Sequence, residues 1–529
     1  MLDLCFRGAR VVDGAGNPWY RADVGVRGDR IACVGVVEEA ARRTLDCDDL
    51  VLAPGFIDMH THSDVQLLAH PDHACKVHQG VTLEVLGQDG LALAPVDDAT
   101  MALLRAQLAG WNGAEPELDD SWRSVAEYLA RFERTTAVNV CYLLPHATLR
   151  LLTVGPDDRP ATPAELDAMR ALVRQGLAEG AVGLSAGLTY APGMYASDDE
   201  LVELCRELRG GAYYCPHHRN YGLHAIKGYA DSIEIARRAG VPLHLAHAHL
   251  GFACNRGRAG ELLALIDAAR DDGVDITLDT YPYLAGATYL HALLPGWVHA
   301  GGPDAIIARL RDPDLRERLR AELEETGSDG FHDVPVEWDK LVLDGVTIAD
   351  LAAREDKRPI DVYCERCADS GLSASALVHF GNEENVRATM QHPVHTAGSD
   401  GILVGARPHP RGWGTFARYL AVYVRELGVL SLSECVRHMT SLPAQRLGLA
   451  DRGLVRPGLA ADIAVFDPAA VQDLATYEEP RRLAQGFHYV AVNGELVLDE
   501  GVHTGATPGR ALGRASLGRA YKGVRPLYM

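Results

Sequence analysis

Two histidines one residue apart, His60 and His62, close the run Pro54-Gly55-Phe56-Ile57-Asp58-Met59-His60-Thr61-His62. In an extended strand, side chains at i and i+2 leave the same face. Two neutral imidazoles converging at a strand end make half of a divalent-metal site. His-x-His alone is a weak signal, so the other ligands must come from other strand ends. Asp89 lies in the turn Gly87-Gln88-Asp89-Gly90, where small neighbours let the backbone approach closely. His217 follows Tyr213-Tyr214-Cys215-Pro216, and His247 follows Pro242-Leu243-His244-Leu245-Ala246. Asp400 follows Val394-His395-Thr396-Ala397-Gly398-Ser399. Four imidazoles and two carboxylates suit one or two borderline divalent cations, zinc above all. Singly, such an Asp often caps a helix and such a His is often just hydrogen-bonded. Six of them at matching strand ends favour the metal.

Zinc brings the ionisation of a bound water near neutral pH, which makes a usable nucleophile. Asp400 is the ligand expected to serve also as base, taking a proton from that water and passing it to a leaving nitrogen. Tyr281 and Tyr283 share a strand face, and either could donate to a developing oxyanion. The duller role for each is packing beneath a covering segment.

These residues need a scaffold that gathers strand ends. Between residues 55 and 450, apolar runs alternate with helical patterns at 164–179, 199–209, 225–239 and 260–272. That alternation predicts a parallel sheet with crossover helices. Eight strand candidates lead to His60, Asp89, His146, Tyr190, His217, His247, the segment Thr280-Tyr281-Pro282-Tyr283, and Asp400. Eight units predict a (β/α)8 TIM barrel, whose chemistry sits at the C-terminal ends of its strands. Residues 290–370 exceed a simple crossover and read as a helical, charged lid. Short strand patterns in residues 1–54 and again in 451–529 are each too small for a good core. They are expected to pair into one small β-sandwich domain built from both chain ends. The tail beyond residue 500, rich in Gly, Arg and Ala, is expected to wrap a surface.

The composition excludes several partners. The 529 residues carry a net charge of -21, which disfavours nucleic acid and anionic membranes. No apolar stretch reaches spanning length, and the N-terminus lacks a signal-peptide pattern. Eleven scattered cysteines suit reduced thiols in a cytoplasm. Cys364-Glu365-Arg366-Cys367, without a second pair, reads as two thiols on one helix rather than a zinc knuckle. The partner expected is a small molecule, and a homo-oligomer is compatible with this composition.

The sequence resembles the D-aminoacylases, or N-acyl-D-amino-acid deacylases, of the amidohydrolase superfamily. The likeness spans nearly the whole chain. It lies in Gly55-Phe56-Ile57-Asp58-Met59-His60-Thr61-His62-Ser63-Asp64 and in Gly183-Leu184-Ser185-Ala186-Gly187-Leu188-Thr189-Tyr190-Ala191-Pro192-Gly193. It continues in Tyr281-Pro282-Tyr283, in Gly398-Ser399-Asp400-Gly401, in Pro408-His409-Pro410-Arg411-Gly412-Trp413-Gly414-Thr415-Phe416 and in Thr504-Gly505-Ala506-Thr507-Pro508-Gly509-Arg510. The resemblance implies zinc-dependent hydrolysis of an N-acyl-D-amino acid or a related N-acyl compound, beneath an insertion after strand seven. It also implies that Tyr190 and Arg411 hold the substrate carboxylate, a task suited to a guanidinium fork.

Three segments depart from the family pattern. Gly87-Gln88-Asp89-Gly90 stands where the family has Gly-Asn-Cys-Gly. Carboxylate in place of thiolate makes the site harder, weakens zinc selectivity and can bridge two metals. Pro216-His217-His218-Arg219 stands for Thr-His-Met-Arg, which puts Arg219 in the substrate-binding set. Ala246-His247-Ala248-His249 stands for Ser-His-His-Lys, so the titratable His249 replaces a fixed cation and substrate choice can shift. His218 and His249 are the further ligand candidates.

Two alternatives remain beside the deacylase. A cyclic amide or imide hydrolase, or a dipeptidase, fits the same scaffold, although no lysine lies near residues 184–190 to bridge two metals. A metal-binding homologue without turnover is opposed by Asp400 and both strand-one histidines. A nucleoside deaminase is disfavoured, because His217 is followed by His218-Arg219-Asn220 and not by His-x-x-Glu.

Overall fold

The computed structural model describes residues 1–513. Eight short parallel strands form the central sheet, in chain order from first to last: Phe56–Asp58, Val81–Leu86, Asn139–Pro145, Gly183–Gly187, Tyr213–His217, Leu243–Leu245, Ile276–Thr280 and His395–Ala397. Every residue of these strands is buried, as parallel strands covered on both faces require. The first and last strands close the cylinder. Met59 N donates to Ala397 O at 3.2 Å, Asp400 N donates to His60 O at 2.7 Å, and Thr61 bridges Gly401 in parallel. The barrel is therefore as the hydrophobic runs predict.

The outer helices start where local chemistry says they should. Thr162 caps the helix Pro163–Ala178 in a reciprocal capping box with Glu165, and Pro163 occupies its first turn. Ser197 caps Asp198–Cys205, and Gly240, at φ +69°, ends Ala225–Ala239. Cys364 and Cys367 lie buried on one helix, Pro359–Asp369, as free thiols.

Both chain ends join in one branched sheet of nine strands among the described residues. Its first strand, Leu2–Val11, pairs antiparallel with Tyr20–Arg27 and parallel with both Ala41–Asp46 and Val51–Pro54. The C-terminal strand Ile463–Phe466 then pairs with Val51–Pro54. Leu4, Phe6, Val24, Ile463 and Val465 share its core. The tail follows the base of the barrel: Leu512 N donates to Val140 O at 2.7 Å, and Arg510 Nη1 reaches Asp29 at 2.9 Å. That is the end opposite the ligand-bearing strand tips. The expected surface-wrapping tail is described to residue 513, and its remainder lies outside the described residues.

The insertion after strand seven is larger and less helical than its sequence suggests. It opens with the strand Ala285–Tyr289 and ends with Ser375–His379, which pair antiparallel. Leu341–Leu343 and Val346–Thr347 complete a small sheet. Ala285-Gly286-Ala287-Thr288-Tyr289 shows no alternation of apolar and polar residues, so the strand has no readable period. Helices Pro303–Arg311, Pro313–Ala321 and Pro359–Asp369 accompany this sheet, with Leu290, Leu310, Leu319, Ile360 and Tyr363 in a core of the insertion's own. Among the described residues, no helix is long and apolar enough to cross a membrane.

Candidate metal centre and substrate cavity

The six expected ligands converge at the C-terminal mouth of the barrel, all buried. His60 Nε2 lies 3.6 Å from Asp89 Oδ1 and 3.7 Å from Asp400 Oδ1. His62 Nε2 lies 3.1 Å from Asp400 Oδ1 and 3.7 Å from Asp89 Oδ2. On the other side of Asp89, His217 Nδ1 and His247 Nε2 approach Oδ2 to 3.4 and 3.5 Å, and lie 3.0 Å from each other. Ligands held at about 2.1 Å in a tetrahedron sit about 3.4 Å apart. These separations are therefore those of donors arranged around a cation. Both nitrogens of His60 and Oδ1 of Asp89 have no hydrogen-bond partner. Buried polar atoms left in that state are costly unless something else satisfies them. An all-nitrogen-and-oxygen donor set fits zinc and its harder neighbours.

Local backbone geometry delivers three of the expected ligands. Asp89, His247 and Asp400 have φ of +52°, +29° and +50°, a region that non-glycine residues visit rarely and that clusters at functional sites. Around Asp89 the turn is wedged between strands. A Cβ on Gly87 would lie 2.2 Å from Leu143 O, and one on Gly90 would lie 2.5 Å from Gly187 N. Only glycines let the carboxylate reach the axis here.

Outer partners orient His217 and His247. Thr189 Oγ1 meets His217 Nε2 at 2.8 Å, and Tyr221 Oη meets His247 Nδ1 at 2.8 Å, which leaves the inward nitrogen of each ring turned toward Asp89. Asp279 stands 3.7 Å from His60 Nδ1, contacts His244 Nε2 at 2.9 Å, and accepts from the His247 amide at 3.0 Å. Sequence reasoning missed Asp279, Thr189 and Tyr221. Of these only Asp279 leaves a signal, as a carboxylate inside the otherwise uncharged strand Ile276–Thr280.

The electrostatics match this arrangement. Burial pushes the Asp89 carboxyl up, but His60, His247 and His217 outweigh it and hold the group well below the usual range. Asp400 behaves likewise, with burial overcome by Arg411, His60 and His62, so it stays a carboxylate. Burial pulls His60 down, yet Asp89 and Asp400 raise it to about 9. Burial dominates at His217, His299, His249 and His332, lowering the first two to about 4 and the others to about 3.

These directions set a pH optimum for the stability of metal-free protein. The unfolded chain protonates its histidines near pH 6.5, whereas the fold refuses protons at those four rings until about pH 3–4. Their contribution is complete above about pH 6.5 and is lost as pH falls through the folded values. His60 acts oppositely, contributing fully below about pH 6.5 and losing its share as pH rises through about 9. Asp64, raised to about 7 by burial, offsets part of the gain from the four rings below that pH. Urea midpoints of the chelator-treated protein are expected to peak near pH 6.5 and fall on both sides. A midpoint climbing steadily from pH 5 to 9 would contradict the assignment.

Beside the donors opens a cavity. Tyr190, His249, Tyr281 and Arg411 line it, as do Trp111, Tyr221 and His332. Arg411 Nη1 lies 2.9 Å from Asp400 Oδ2 but is not aligned for a hydrogen bond, and Nη2 donates to Ala287 O at 3.1 Å. Its guanidinium also sits over the Tyr281 ring at 4.5 Å. Burial raises the Tyr281 phenol, so it keeps its proton and can donate. Tyr190 Oη lies 3.3 Å from Thr288 Oγ1.

Three residues stand elsewhere than the sequence suggested. Tyr283 does not line this cavity. Its hydroxyl donates to Asp473 at 2.9 Å, with Arg418 over its ring at 4.9 Å, because Pro282 separates it from Tyr281 and the chain is no longer a regular strand there. Arg219 also turns away, donating to Asp198 at 2.7 Å and Ala196 O at 3.0 Å. His218 packs between Tyr221 and Tyr229, with ring centroids 4.0 and 3.9 Å away, on the side of strand five opposite the donors.

Residues 43–498 match the model of the Amidohydrolase family. The chain is 37% identical to the D-aminoacylase of Alcaligenes xylosoxydans xylosoxydans, over 97% of its own length and 98% of that protein. It is likewise 37% identical to the N-acyl-D-aspartate deacylase of the same organism, over 96% and 95%. Among solved structures, the N-acyl-D-glutamate deacylase from Bordetella bronchiseptica, complexed with zinc and a phosphonate mimic of the tetrahedral intermediate, aligns with a TM-score of 0.81. That pair shares 33% identity over 97% of this chain and 99% of the other.

Proposed function

The chain belongs to the amidohydrolase family, and from that premise we propose that it hydrolyses the amide C–N bond of N-acyl-D-amino acids to a carboxylate and a free D-amino acid. His60, His62, Asp89, His217, His247 and Asp400 are the residues that would hold the divalent ion. When bound, zinc supplies Lewis-acid polarisation of the scissile carbonyl and a water acidic enough to attack near neutral pH.

The protein's own groups then have these roles. Asp400 takes the proton of the attacking water and returns it to the leaving nitrogen, which a carboxylate at the cavity wall can reach. Tyr281, kept protonated by burial, donates to the oxygen that gains charge. Arg411, with Tyr190 beside the same cavity, holds the carboxylate of the amino acid. His249 lines the cavity next to Tyr281, their ring centroids 4.2 Å apart, and shapes the substrate's seat. The covering insertion limits water in the cavity.

The observation that carries this reading is the gathering of four imidazoles and two carboxylates at one strand-end mouth, with a guanidinium 2.9 Å from one of those carboxylates. The test strips the protein with chelator, reloads it with zinc, and follows amine release from N-acetyl-D-leucine and N-acetyl-L-leucine and, by loss of ultraviolet absorbance, the ring opening of dihydrouracil. Zinc-dependent turnover is expected on the D-substrate, in excess over L by at least about 100-fold. Turnover confined to the L-substrate or the cyclic amide would overturn the reading.

A further inference from the structure

We propose that the amino acid released has an uncharged, apolar side chain, and that acidic side chains are refused by the wall the insertion builds. This rests on the deacylase reading above. Family membership leaves the side chain open, since one relative is an N-acyl-D-aspartate deacylase.

Charge in the cavity supplies the first half of the argument. Arg411 is the one lysine or arginine among the described residues that line it. A single guanidinium, already 2.9 Å from Asp400 and donating to Ala287 O, seats one carboxylate, and the α-carboxylate takes that seat. The other charged side chains on the lining, Asp89 and Asp400, belong to the donor set, so the lining holds no second cationic side chain for another anion. His332 accepts a 3.4 Å hydrogen bond from the Tyr221 amide at Nδ1, which marks a neutral ring.

The opposite wall supplies the second half. The insertion and its closing turn contribute Leu293, Phe331, Val378 and Phe380, and the loop after strand six contributes Phe252. Their rings form a continuous surface, with Phe252 5.4 Å from Phe380 and 5.8 Å from Phe331 by centroids. Phe380 is fixed in place. A Cβ on Gly251 would lie 1.9 Å from its ring, and one on Gly286 would lie 2.6 Å away. These two glycines form a slot that fits the ring closely. An apolar side chain gains by leaving water against such a wall. A second carboxylate would lose its hydration and meet no counter-charge there.

The experiment compares the zinc-loaded enzyme on two pairs of similar size, N-acetyl-D-leucine against N-acetyl-D-aspartate and N-acetyl-D-methionine against N-acetyl-D-glutamate. The neutral member is expected to have the higher kcat/KM by at least about 100-fold in each pair. Parity within about threefold, or a reversed order, overturns the proposal while leaving the deacylase reading intact. No turnover of any of the four overturns both. Val378→Lys places an ammonium in the wall and is expected to narrow the leucine-to-aspartate ratio at least about tenfold. Val378→Thr, nearly isosteric, covers the case in which the lysine variant does not fold, and should lower the ratio of N-acetyl-D-leucine to N-acetyl-D-alanine turnover. A folded variant with unchanged ratios removes this wall as the selecting surface.

Discussion

Asp400→Asn is expected to lower kcat by about 10³-fold while the fold and the bound-metal content survive. Asparagine is the informative replacement because it accommodates the left-handed backbone at this position, φ +50°, almost as well as aspartate does. The main-chain hydrogen bond from Asp400 N to His60 O, at 2.7 Å, is untouched, so the closure between the last and first barrel strands remains. What the amide cannot do is accept a proton. The variant also takes a negative charge away from Arg411, whose Nη1 lies 2.9 Å from Asp400 Oδ2. Arg411 is then freer to hold a carboxylate, so KM is expected to stay level or fall as kcat collapses. A structural defect would raise KM and shed metal. Steady-state kinetics with metal analysis on the same preparation separates the two. Turnover near the wild-type rate would remove Asp400 from the proton-transfer role.

The barrel was legible in the sequence because each strand is an apolar run that ends in a chemically distinct residue, and a strand tip is where this architecture collects its ligands. His60, His62, His217, His247 and Asp400 all follow such runs. Asp89 was legible for another reason: the glycines on either side signal close backbone approach, and Gly87 and Gly90 do press against strands three and four. Direction was harder to read. Tyr281 and Tyr283 share a face only if the strand continues, and Ile276–Thr280 ends before either of them. Arg219 lies two residues past a ligand, yet Asp198 is 2.7 Å away and captures it. Partners such as Tyr221 and Thr189 are positioned by tertiary contact, which no local pattern records. The insertion's strands escaped notice because Ala285–Tyr289 alternates small residues instead of apolar and polar ones.

Lys76→Met is expected to cost about 3–5 kcal/mol of stability, although Lys76 touches neither the donors nor the cavity. The ammonium is fully buried and lies 2.6 Å from Asp58 Oδ2 and 2.6 Å from Glu84 Oε1, with Ser399 Oγ at 3.0 Å. Removing it leaves two carboxyls facing each other without water, and His73, 2.9 Å from Glu84, can answer only one. Asp58 is also a hinge between structure and chemistry. Its Oδ1 accepts from the Ser399 amide at 2.8 Å and from the His60 amide at 3.2 Å. Those two amides position the segments that carry His60, His62 and Asp400. Loss of the cation should therefore weaken metal retention as well as the fold, because a strained Asp58 moves strands one and eight together. Urea unfolding of chelator-treated protein at pH 7 measures the first effect free of metal linkage, and zinc competition against a chromophoric chelator measures the second. The triple variant Asp58→Asn, Lys76→Met, Glu84→Gln, which removes every charge at once, should recover most of the stability, since replacing a whole buried ion cluster is far less costly than breaking it. Were the single variant to lose less than about 1 kcal/mol, the Lys76 ammonium would not be what offsets the burial of Asp58 and Glu84.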